Sequence, residues 1–355
     1  MIFLITGGAG FIGSSLIKVL IQDSENTIIN VDNLSYSGNL NSLDEVNKFK
    51  NYIFEYCDIN DPHKINRIIQ KYQPNIIFHL AAESHVDRSI DSPREFLNTN
   101  IIGTLNLLEA SKELCSKNIS NSSFSFKFHH ISTDEVFGDL DINAIPCSEN
   151  GLYQPSSPYA ASKASSDHLV RSWGKTYNIP FIITHCSNNY GPYQFPEKLI
   201  PHTIINAIKG KKIPIYGDGM QKREWLYVKD HVDALIKLVK NPEINTSYNI
   251  GSSEEMHNID LVKIICTHLD NLAQPKQKNI SSFKELITFV KDRPGHDKRY
   301  ALDSKKILCD VGWAPKERFQ SGILKTIEWY LSNKKWWEKI LQNDYKLERK
   351  GLGNV

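Results

Sequence analysis

The first residues constrain the fold of this chain more than any other segment, because an apolar run leads directly into a cluster of glycines. Residues 2–5 are all apolar, and Gly7, Gly10 and Gly13 follow at intervals of three. Glycines between a buried strand and a helix let the backbone approach a pyrophosphate, which binds at the helix N-terminus. Asp32 ends the next apolar run, about 20 residues on, where an acid binds a ribose hydroxyl. The pattern predicts dinucleotide binding.

Asp32 also indicates which dinucleotide is bound. Its charge would repel a 2′-phosphate and no Arg follows directly, so we expect NAD and not NADP. The alternative for Asp32 is a structural cap at the end of a strand. Asp58 and Ile59 follow the third apolar run and would reach the adenine, although Asp58 could instead cap a helix that Pro62 announces. Small residues within 80–84 would let a cofactor lie against the backbone.

Apolar runs alternate with amphipathic segments through the first half of the chain. The runs lie at 2–5, 27–31, 52–54, 76–80, 124–131 and 181–184, and helices are expected near 12–22, 62–72, 94–116 and 158–177. This alternation predicts an α/β fold with a Rossmann-type, doubly wound parallel sheet.

The composition of the chain changes after about residue 188, where turn-forming and aromatic residues become more frequent. We expect residues 1–187 to form the NAD-binding domain, with returning segments near 225–252. Residues 188–355 would form mainly a smaller, partly interleaved lobe that binds the substrate. Shorter helices are expected there near 196–209, 230–240, 258–270 and 318–332.

Composition and charge argue against several classes of protein. The net charge is +2 and no basic stripe carries interleaved aromatic residues, so nucleic-acid binding is not expected. No apolar stretch has the length of a signal segment or a membrane span, so no membrane association is expected. The six cysteines are widely spaced and form no C-x-x-C pair. They predict reduced thiols in a cytoplasmic protein and no metal site.

Two groups of residues in the first half carry the chemistry of an alcohol oxidation. Tyr159 and Lys163 are four residues apart and share a helix face, so the lysine can lower the tyrosine pKa and the tyrosine can take a hydroxyl proton. Thr133, Asp134 and Glu135 follow the apolar run that ends at residue 131. A second acid and base suit an enzyme that also eliminates water, provided that their pKa values differ. The alternatives are a solvated helix face and loop acids at a strand end.

Nine segments over nearly the whole chain share one resemblance. They are TGGAGFIG (6–13), VDNLSYSGN (31–39), LAAESHVDRSI (80–90), NTNIIGT (98–104), STDEVFG (132–138), YAASK (159–163), CSNNYGPYQFPEKLIP (186–201), REWLYVKDH (223–231) and DRPGHDKRY (292–300). Together they resemble the dTDP-glucose 4,6-dehydratases of the extended short-chain dehydrogenase/reductase family. Related epimerases and decarboxylases share the first segment and the Tyr-x-x-x-Lys pair, but typically lack Asp-Glu after the Thr.

The resemblance implies NAD as the cofactor and assigns residues to it. Those expected to bind NAD are Gly7, Gly10, Phe11, Ile12, Gly13, Asp32, Asn33, Leu34, Ser35, Asp58, Ile59, Leu80, Ala81, Ala82, Ser84, Thr99, Tyr159, Lys163 and Asn189.

The resemblance also assigns a role to each catalytic residue. Tyr159 is the base that oxidises the 4-hydroxyl of dTDP-glucose, Thr133 hydrogen-bonds that hydroxyl and Lys163 assists, while NAD takes the hydride from C4. Glu135 then removes the C5 proton and Asp134 protonates the departing C6 hydroxyl. Return of the hydride to C6 gives dTDP-4-keto-6-deoxyglucose.

Substrate contacts and a homodimer are implied in the same way. The residues expected to bind substrate are Ser84, Thr133, Asn188, Lys198, Leu199, Pro214, Tyr216, Arg223, Asn258, Arg293 and His296. Either arginine could instead form a surface ion pair. The polar cluster of Glu83, His85, Asp87 and Arg88 could likewise be an ordinary solvated loop. The helices near 94–116 and 158–177 would form the dimer.

Two residues depart from the family pattern, and three other functions stay open. Phe137 stands where Tyr is usual, and His185 where Arg is common. The first alternative is a 4,6-dehydratase of another nucleotide sugar such as UDP-glucose. The second is an NAD-dependent nucleotide-sugar 4-epimerase, against which the Asp-Glu pair argues. The third is an NAD-binding regulator without catalysis.

Overall fold

The structure is a computed structural model that describes residues 1–241, 243–273, 275, 280–343, 347 and 351. Its strands are β1 (Ile2–Thr6), β2 (Thr27–Asp32), β3 (Tyr52–Tyr56), β4 (Ile76–His79), β5 (Lys127–Thr133), β6 (Phe181–Cys186), β7 (Asn188–Tyr190), β8 (Ile213–Tyr216), β9 (Lys222–Tyr227), β10 (Thr246–Ile250), β11 (Glu255–His257) and β12 (Ile287–Val290). Its helices are α1 (Phe11–Leu20), α2 (Pro62–Tyr72), α3 (Val86–Asp91), α4 (Pro93–Leu97), α5 (Gly103–Lys117), α6 (Pro158–Tyr177), α7 (Leu199–Lys209), α8 (Val228–Lys240), α9 (Asn258–Leu272), α10 (Lys305–Val311), α11 (Phe319–Ser332) and α12 (Lys334–Asn343).

Seven parallel strands form the main sheet in the order β3-β2-β1-β4-β5-β6-β10. The strand order reverses between β1 and β4, and such a switch point is where open α/β sheets bind ligands. The predicted Rossmann-type, doubly wound parallel sheet is confirmed.

Both faces of the main sheet are covered, as an all-parallel sheet requires. One apolar core joins the sheet to α1, α8 and α10. A second core joins the opposite face to α2, α5 and α6. Several core side chains are fully buried, including Leu4, Ile77 and Phe128.

The helices begin where local capping chemistry starts them. Asp61 accepts a hydrogen bond from the Lys64 N–H (2.9 Å), directly before Pro62 at the start of α2. Ser157 does the same for Ala160 (3.0 Å) before Pro158 at the start of α6. Such caps satisfy backbone N–H groups that lack partners inside the helix. The cap of α2 is therefore Asp61 and not Asp58, the alternative that the sequence left open.

The second half of the chain builds two small sheets around a third apolar core, which α7, α9 and α11 share. The three-stranded sheet has the order β11-β9-β7, and β12 pairs with β8. Residues 225–227 belong to β9 in this small sheet, so the return to the main sheet begins with α8 and ends with β10. A further returning segment, α10 with Trp313, joins the first core and was not expected from the sequence.

The prediction of a single helix near 94–116 is wrong in one respect, because the structure divides this segment into α4 and α5. A π-helical turn, Asn98–Ile102, separates α4 from α5. Such turns hold one extra residue per hydrogen-bonded loop and occur often at functional sites. Among the described residues, no helix is both long and apolar enough to cross a membrane.

Candidate active site

A cavity opens at the carboxyl ends of the main-sheet strands, at the point where their order reverses. Predicted residues in its lining are Gly7, Gly10, Phe11, Ile12, Gly13, Asp32, Asn33, Ser35, Ile59, Leu80, Ala81, Ala82, Ser84, Thr99, Thr133, Asp134, Glu135, Tyr159, Lys163, Asn188, Asn189 and Lys198. Main-chain topology therefore brings together segments that are far apart in the sequence, as expected at a switch point.

The glycine loop after β1 is shaped for the close approach of a ligand. Gly7 has a φ of +72°, and a Cβ there would lie 2.6 Å from the backbone nitrogen of Ala81. A Cβ on Gly13 would lie 2.3 Å from the carbonyl oxygen of Gly7. Helix α1 begins at Phe11, so its free N–H groups face the same loop. This cradle fits the pyrophosphate of a dinucleotide.

Asp32 lies at the cavity edge beside that loop. Its carboxylate accepts hydrogen bonds from the backbone N–H groups of Ala9 (2.9 Å) and Leu34 (2.8 Å). Burial raises its pKa and these two bonds oppose the rise. Leu34 and Asp58 are not among the described residues that line the cavity. Asp58 is exposed and accepts a hydrogen bond from the Asn33 amide (3.1 Å).

The loop after β4 is held by Asn100, a functional residue that sequence reasoning did not single out. Its side chain accepts from the Glu83 N–H (2.9 Å) and donates to the Glu83 carbonyl (2.9 Å) and to Ser162 (2.8 Å). Asn100 lies in the π-helical turn, which directs it inward and buries it. The sequence signal for this residue is the segment NTNIIGT (98–104), whose second asparagine is Asn100.

Asp134 and Glu135 enter the cavity at the end of β5. Thr133 donates to Asp134 Oδ1 (3.1 Å) and accepts from the Glu135 N–H (3.3 Å). Burial, followed by the charge of Glu135, raises the pKa of Asp134 well above its ordinary value.

The neighbouring Glu135 has a different electrostatic environment. Burial raises its pKa as well, but the positive charges of Arg293, Arg223 and Lys198 oppose the rise. One oxygen of each acid, Asp134 Oδ2 and Glu135 Oε2, is buried without a partner among the described residues. The pKa values of both carboxyl groups are raised, but that of Asp134 is raised further, so Asp134 holds its proton more readily than Glu135, and this order suits an acid and a base.

Tyr159 and Lys163 lie on α6 against the same end of β5. The Lys163 ammonium donates to the Ile131 carbonyl (2.7 Å). Burial raises the pKa of Tyr159 well above its ordinary value, and Glu135 raises it further. That Lys163 lowers this pKa stays a prediction, and any such effect would act against burial and the charge of Glu135.

The residues expected to bind substrate divide into two sets. Ser84, Thr133, Asn188 and Lys198 line the cavity. The described residues that lie outside its lining are Leu199, Pro214, Tyr216, Arg223, Asn258, Arg293 and His296. Leu199 and Asn258 begin α7 and α9, and Pro214 and Tyr216 lie on β8.

Asp87, Tyr216 and Arg293, here named the Asp87 cluster, join the two halves of the chain. Arg293 Nη1 lies 2.7 Å from Asp87 Oδ1, and the Tyr216 hydroxyl donates to Asp87 Oδ2 (2.7 Å). Arg293 Nε is buried without a partner among the described residues. Asp87 is buried, so the alternative of an ordinary solvated loop is wrong for this residue.

The other predicted substrate residues are also engaged within the protein. Arg223 stacks on the ring of Tyr300 (4.3 Å) and donates to the Asp297 carbonyl (2.8 Å). His296 Nδ1 lies 2.6 Å from Asp292 Oδ1, and burial lowers the pKa of this imidazole to about 4.

A second ionic cluster borders the cavity beside Lys198. Glu197 accepts from Tyr36 (2.9 Å) and from Arg88 Nε (3.1 Å). Lys198 donates to the Ser84 carbonyl (2.8 Å). The lining residues that sequence reasoning missed are Val31, Ser37, Gly38, Cys57, Glu83, Ile131, Ser132, Cys186, Ser187, Gln194, Phe195 and Glu197.

The family model described as GDP-mannose 4,6 dehydratase matches residues 4–326. The chain belongs to this family. It is 53% identical over 350 residues to a dTDP-glucose 4,6-dehydratase of Neisseria meningitidis serogroup B, covering 99% of each chain. It is 52% identical over 360 residues to one from Escherichia coli, again covering 99% of each. The resemblance expected from the nine segments is confirmed.

Solved structures agree with the sequence relatives. A dTDP-glucose 4,6-dehydratase from Bacillus anthracis in complex with NAD is 39% identical, with a TM-score of 0.83 over 96% of this chain and 99% of that one. One from Streptomyces venezuelae, also with NAD bound, is 37% identical, with a TM-score of 0.86 over 96% of this chain and 100% of that one. A UDP-glucose 4-epimerase from Thermotoga maritima is 29% identical with a TM-score of 0.81, so the fold is shared with epimerases.

Proposed function

We propose that this protein is an NAD-dependent dTDP-glucose 4,6-dehydratase, which converts dTDP-glucose into dTDP-4-keto-6-deoxyglucose and water. The observation that carries the proposal is the pair of the buried Asp134 and the half-buried Glu135, which line one cavity together with Tyr159 and Lys163. An alcohol dehydrogenase needs only the tyrosine and the lysine, whereas elimination of water needs a further base and acid. Relatives of this activity, at more than half identity over nearly the whole chain, support the choice of substrate.

The glycine cradle, Asp32 and the small residues after β4 would hold NAD. Gly7 and Gly13 permit the tight backbone turn that would present the start of α1 to the pyrophosphate, and Asp32 would offer its carboxylate to the adenosine ribose. Asn189 is held in place by His231 (2.9 Å) and would face the nicotinamide. Bound there, NAD would supply the acceptor for the C4 hydride and its donor to C6, and a positive ring charge that would favour the ionised form of Tyr159.

Tyr159 and Thr133 would act on the 4-hydroxyl of the sugar. Ionised Tyr159 takes the hydroxyl proton as C4 is oxidised, and Thr133 holds the oxygen by a hydrogen bond. Lys163, directed by the Ile131 carbonyl, would bind the nicotinamide ribose and favour the tyrosinate.

Glu135 and Asp134 would carry out the elimination. The new 4-ketone acidifies the C5 proton, which Glu135 removes, and Asp134 gives its proton to the C6 hydroxyl so that water departs. Glu135 then returns a proton to C5 as C6 is reduced. Each turnover leaves Tyr159 with one proton more and Asp134 with one fewer, so a proton must pass between them or exchange with solvent.

The nucleotide end of the substrate would occupy the second half of the chain. We propose that Asn188, Lys198, Leu199, Pro214, Tyr216, Arg223, Asn258, Arg293 and His296 contact it. Three buried atoms, Asn188 Oδ1, Asn258 Oδ1 and Arg293 Nε, have no partner within the part of the chain that the structure describes, and they support this assignment because buried polar atoms usually have partners. A diphosphate would share Arg293 with Asp87, and guanidinium groups bind phosphate bidentately. Residues 1–187 would serve mainly the cofactor and 188–355 mainly the substrate.

We also propose a homodimer through α4, α5 and α6, in a cytoplasmic protein. Leu97 and Ile102 support the dimer, since they expose 43% and 45% of their surface on this face. All six cysteines are free thiols, as is usual in a reducing compartment. Sedimentation velocity should show a dimer that Ile102→Glu converts to monomer. Leu308→Glu, at an equally exposed site on α10, should not change the mass; a monomeric parent protein would contradict the proposal.

The test of the activity is incubation of the purified protein with dTDP-glucose, followed by mass spectrometry of the sugar nucleotide. Loss of one water without accumulation of NADH is the expected result. An unchanged mass with inverted C4 would point to a 4-epimerase. Dehydration of UDP-glucose in preference to dTDP-glucose would overturn the choice of base, and binding of NAD without turnover of any sugar would overturn the enzyme.

A further inference from the structure

A carboxylate with no part in the steps above is buried beneath Lys163. Asp167 follows Lys163 by four residues on α6, so both side chains lie on one face of the helix. Asp167 is fully buried and Lys163 nearly so. Lys163 lines the cavity, whereas Asp167 lies behind it.

Four polar groups from three parts of the fold surround Asp167. Its Oδ2 accepts from Ser132 (2.9 Å) and Tyr153 (2.9 Å), and lies 3.2 Å from His185 Nε2. Its Oδ1 lies 3.2 Å from His130 Nε2. Burial by itself would raise the pKa of Asp167, but the hydrogen bonds from the two histidines hold it well below its usual range. The carboxylate is therefore ionised.

His130 connects this carboxylate to the lysine. The Lys163 ammonium lies 3.4 Å from His130 Nε2, the same nitrogen that faces Asp167. That nitrogen accepts from the lysine when it is unprotonated and donates to the carboxylate when it carries the proton. The nitrogen serves only one of these partners at a time, so the imidazole lies between the buried ammonium and the buried carboxylate and separates the two charges by one ring.

The other groups around the lysine do not replace this charge. Burial lowers the pKa of His130 to about 4 and that of His79 well below its ordinary value, so both rings are neutral. Burial raises the pKa of the Cys186 thiol to about 12, so it is neutral as well. Burial lowers the pKa of Lys163 to about 8, and Asp167 acts against this decrease. An unpaired buried ammonium tends to lose its proton.

We propose that Asp167 is a positioning residue that keeps the Lys163 side chain charged and directed at the Ile131 carbonyl. Asp167 would not touch substrate or cofactor. It would act through Lys163, which in the proposed function needs its charge to favour the tyrosinate. The role in catalysis rests on that proposed function, but the charge of Lys163 can be measured independently of it.

The direct test is NMR of protein labelled with ¹³C at the lysine Cε, with the Lys163 signal assigned by its loss in Lys163→Met. In the parent protein Lys163 should titrate near pH 8. Asp167→Asn should lower that midpoint by about one unit or more, which is a tenfold change or more in the proton affinity. An unchanged midpoint, or a parent Lys163 that is already neutral at neutral pH, would overturn the proposal.

Asp230→Asn is the matched control. Asp230 is also a buried carboxylate, but it accepts from the Lys316 and Glu317 N–H groups (3.0 and 2.8 Å). Its substitution should lower the melting temperature without moving the Lys163 titration. If Asp167→Asn does not fold, the parent titration still decides whether Lys163 is charged.

The functional readout is the pH dependence of kcat and KM for dTDP-glucose. For a midpoint lowered by one unit, Asp167→Asn should lower kcat about twofold at pH 7 and about fivefold at pH 8, change KM little, and approach the parent at lower pH, where Lys163 regains its proton. An equal loss at every pH would indicate a merely structural role and contradict the proposal. A shifted titration in a protein without dehydratase activity would retain the charge effect and refute the proposed function instead.

Discussion

The cofactor side and the substrate side of this cavity are built in different ways. Asp32 and Thr133 end strands of one sheet, Gly7 directly follows another, and all three line the cavity. Tyr216 and Arg293 come from a separate small sheet and a loop after it, and both are bound to Asp87. The residues of one side line the cavity directly, whereas Arg293 of the other side is partly neutralised by an acid within the protein.

The difference shows that a parallel sheet can assemble a site from its strand ends alone. The residues at those ends need no contacts with one another to be placed in the cavity. The carboxyl ends of the strands meet at one edge, so the residue after each strand is placed by the sheet itself. The Asp87 cluster depends instead on loops from distant parts of the chain. A ligand there must compete with an ion pair that already exists, which lowers the net gain from each new contact.

The largest effect is expected where the two sides meet. Glu135→Gln should lower the dehydration rate roughly a thousandfold, because general base catalysis contributes on the order of 10²–10⁴. Oxidation at C4 should persist, so reduced nicotinamide should accumulate in a single turnover, measured by its absorbance. Glu328→Gln, on the exposed face of α11, should leave the rate unchanged. Full activity of Glu135→Gln would show that the base is another residue.

A change on the cofactor side should affect NAD alone. Asp32→Asn removes the charge that would accept a hydrogen bond from the adenosine ribose, and such a charge-assisted bond contributes roughly 1.5–3 kcal/mol. NAD affinity should fall roughly 10- to 100-fold, measured by NAD retained after gel filtration and by titration. With NAD saturating, KM for the sugar nucleotide should not change. Asp44→Asn, an exposed control, should retain NAD like the parent.

A change on the substrate side should weaken binding of the sugar nucleotide and leave NAD binding unchanged. Arg293→Lys keeps the charge but loses the bidentate geometry, so KM for dTDP-glucose should rise roughly tenfold while NAD retention stays the same. Steady-state kinetics with NAD saturating measures this. Arg67→Lys, on the exposed face of α2, serves as the control. Loss of NAD from Arg293→Lys would break the separation between the two sides.

The smallest effect is expected for Phe137, one of the two residues that depart from the family pattern. Phe137 packs against Tyr153 (5.4 Å) and His185 (4.9 Å), and it lies outside the cavity lining. Phe137→Tyr adds one hydroxyl to this buried place, so activity should change less than about threefold and the melting temperature by a few degrees. A tenfold change in kcat would show that the network around Asp167 transmits more to the cavity than its geometry suggests.

Much of the fold could be predicted because local patterns are strong in the first half. The alternation of apolar runs and amphipathic segments located α2 and α6 at the bounds now observed. The π-helical turn could not be predicted, since Asn98–Ile102 continues a helical pattern and is distorted by the inward bonds of Asn100. Helices α10 and α12 were also missed, because each is short and charged at its start.

The sequence by itself determined the elements whose chemistry is local: the glycine loop, the acid at the end of β2, and the spacing of Tyr159 and Lys163 on one helix face. Backbone geometry alone sets these arrangements over a few residues. Only the tertiary structure decided which charges meet, as when Asp87 pairs with Arg293 across 206 positions and Asp167 gathers two histidines from neighbouring strands. Such pairs depend on long-range packing, and the partners that packing supplies give equally buried carboxyl groups their different pKa values: the charge of Glu135 adds to the effect of burial at Asp134, whereas hydrogen bonds from two histidines oppose it at Asp167.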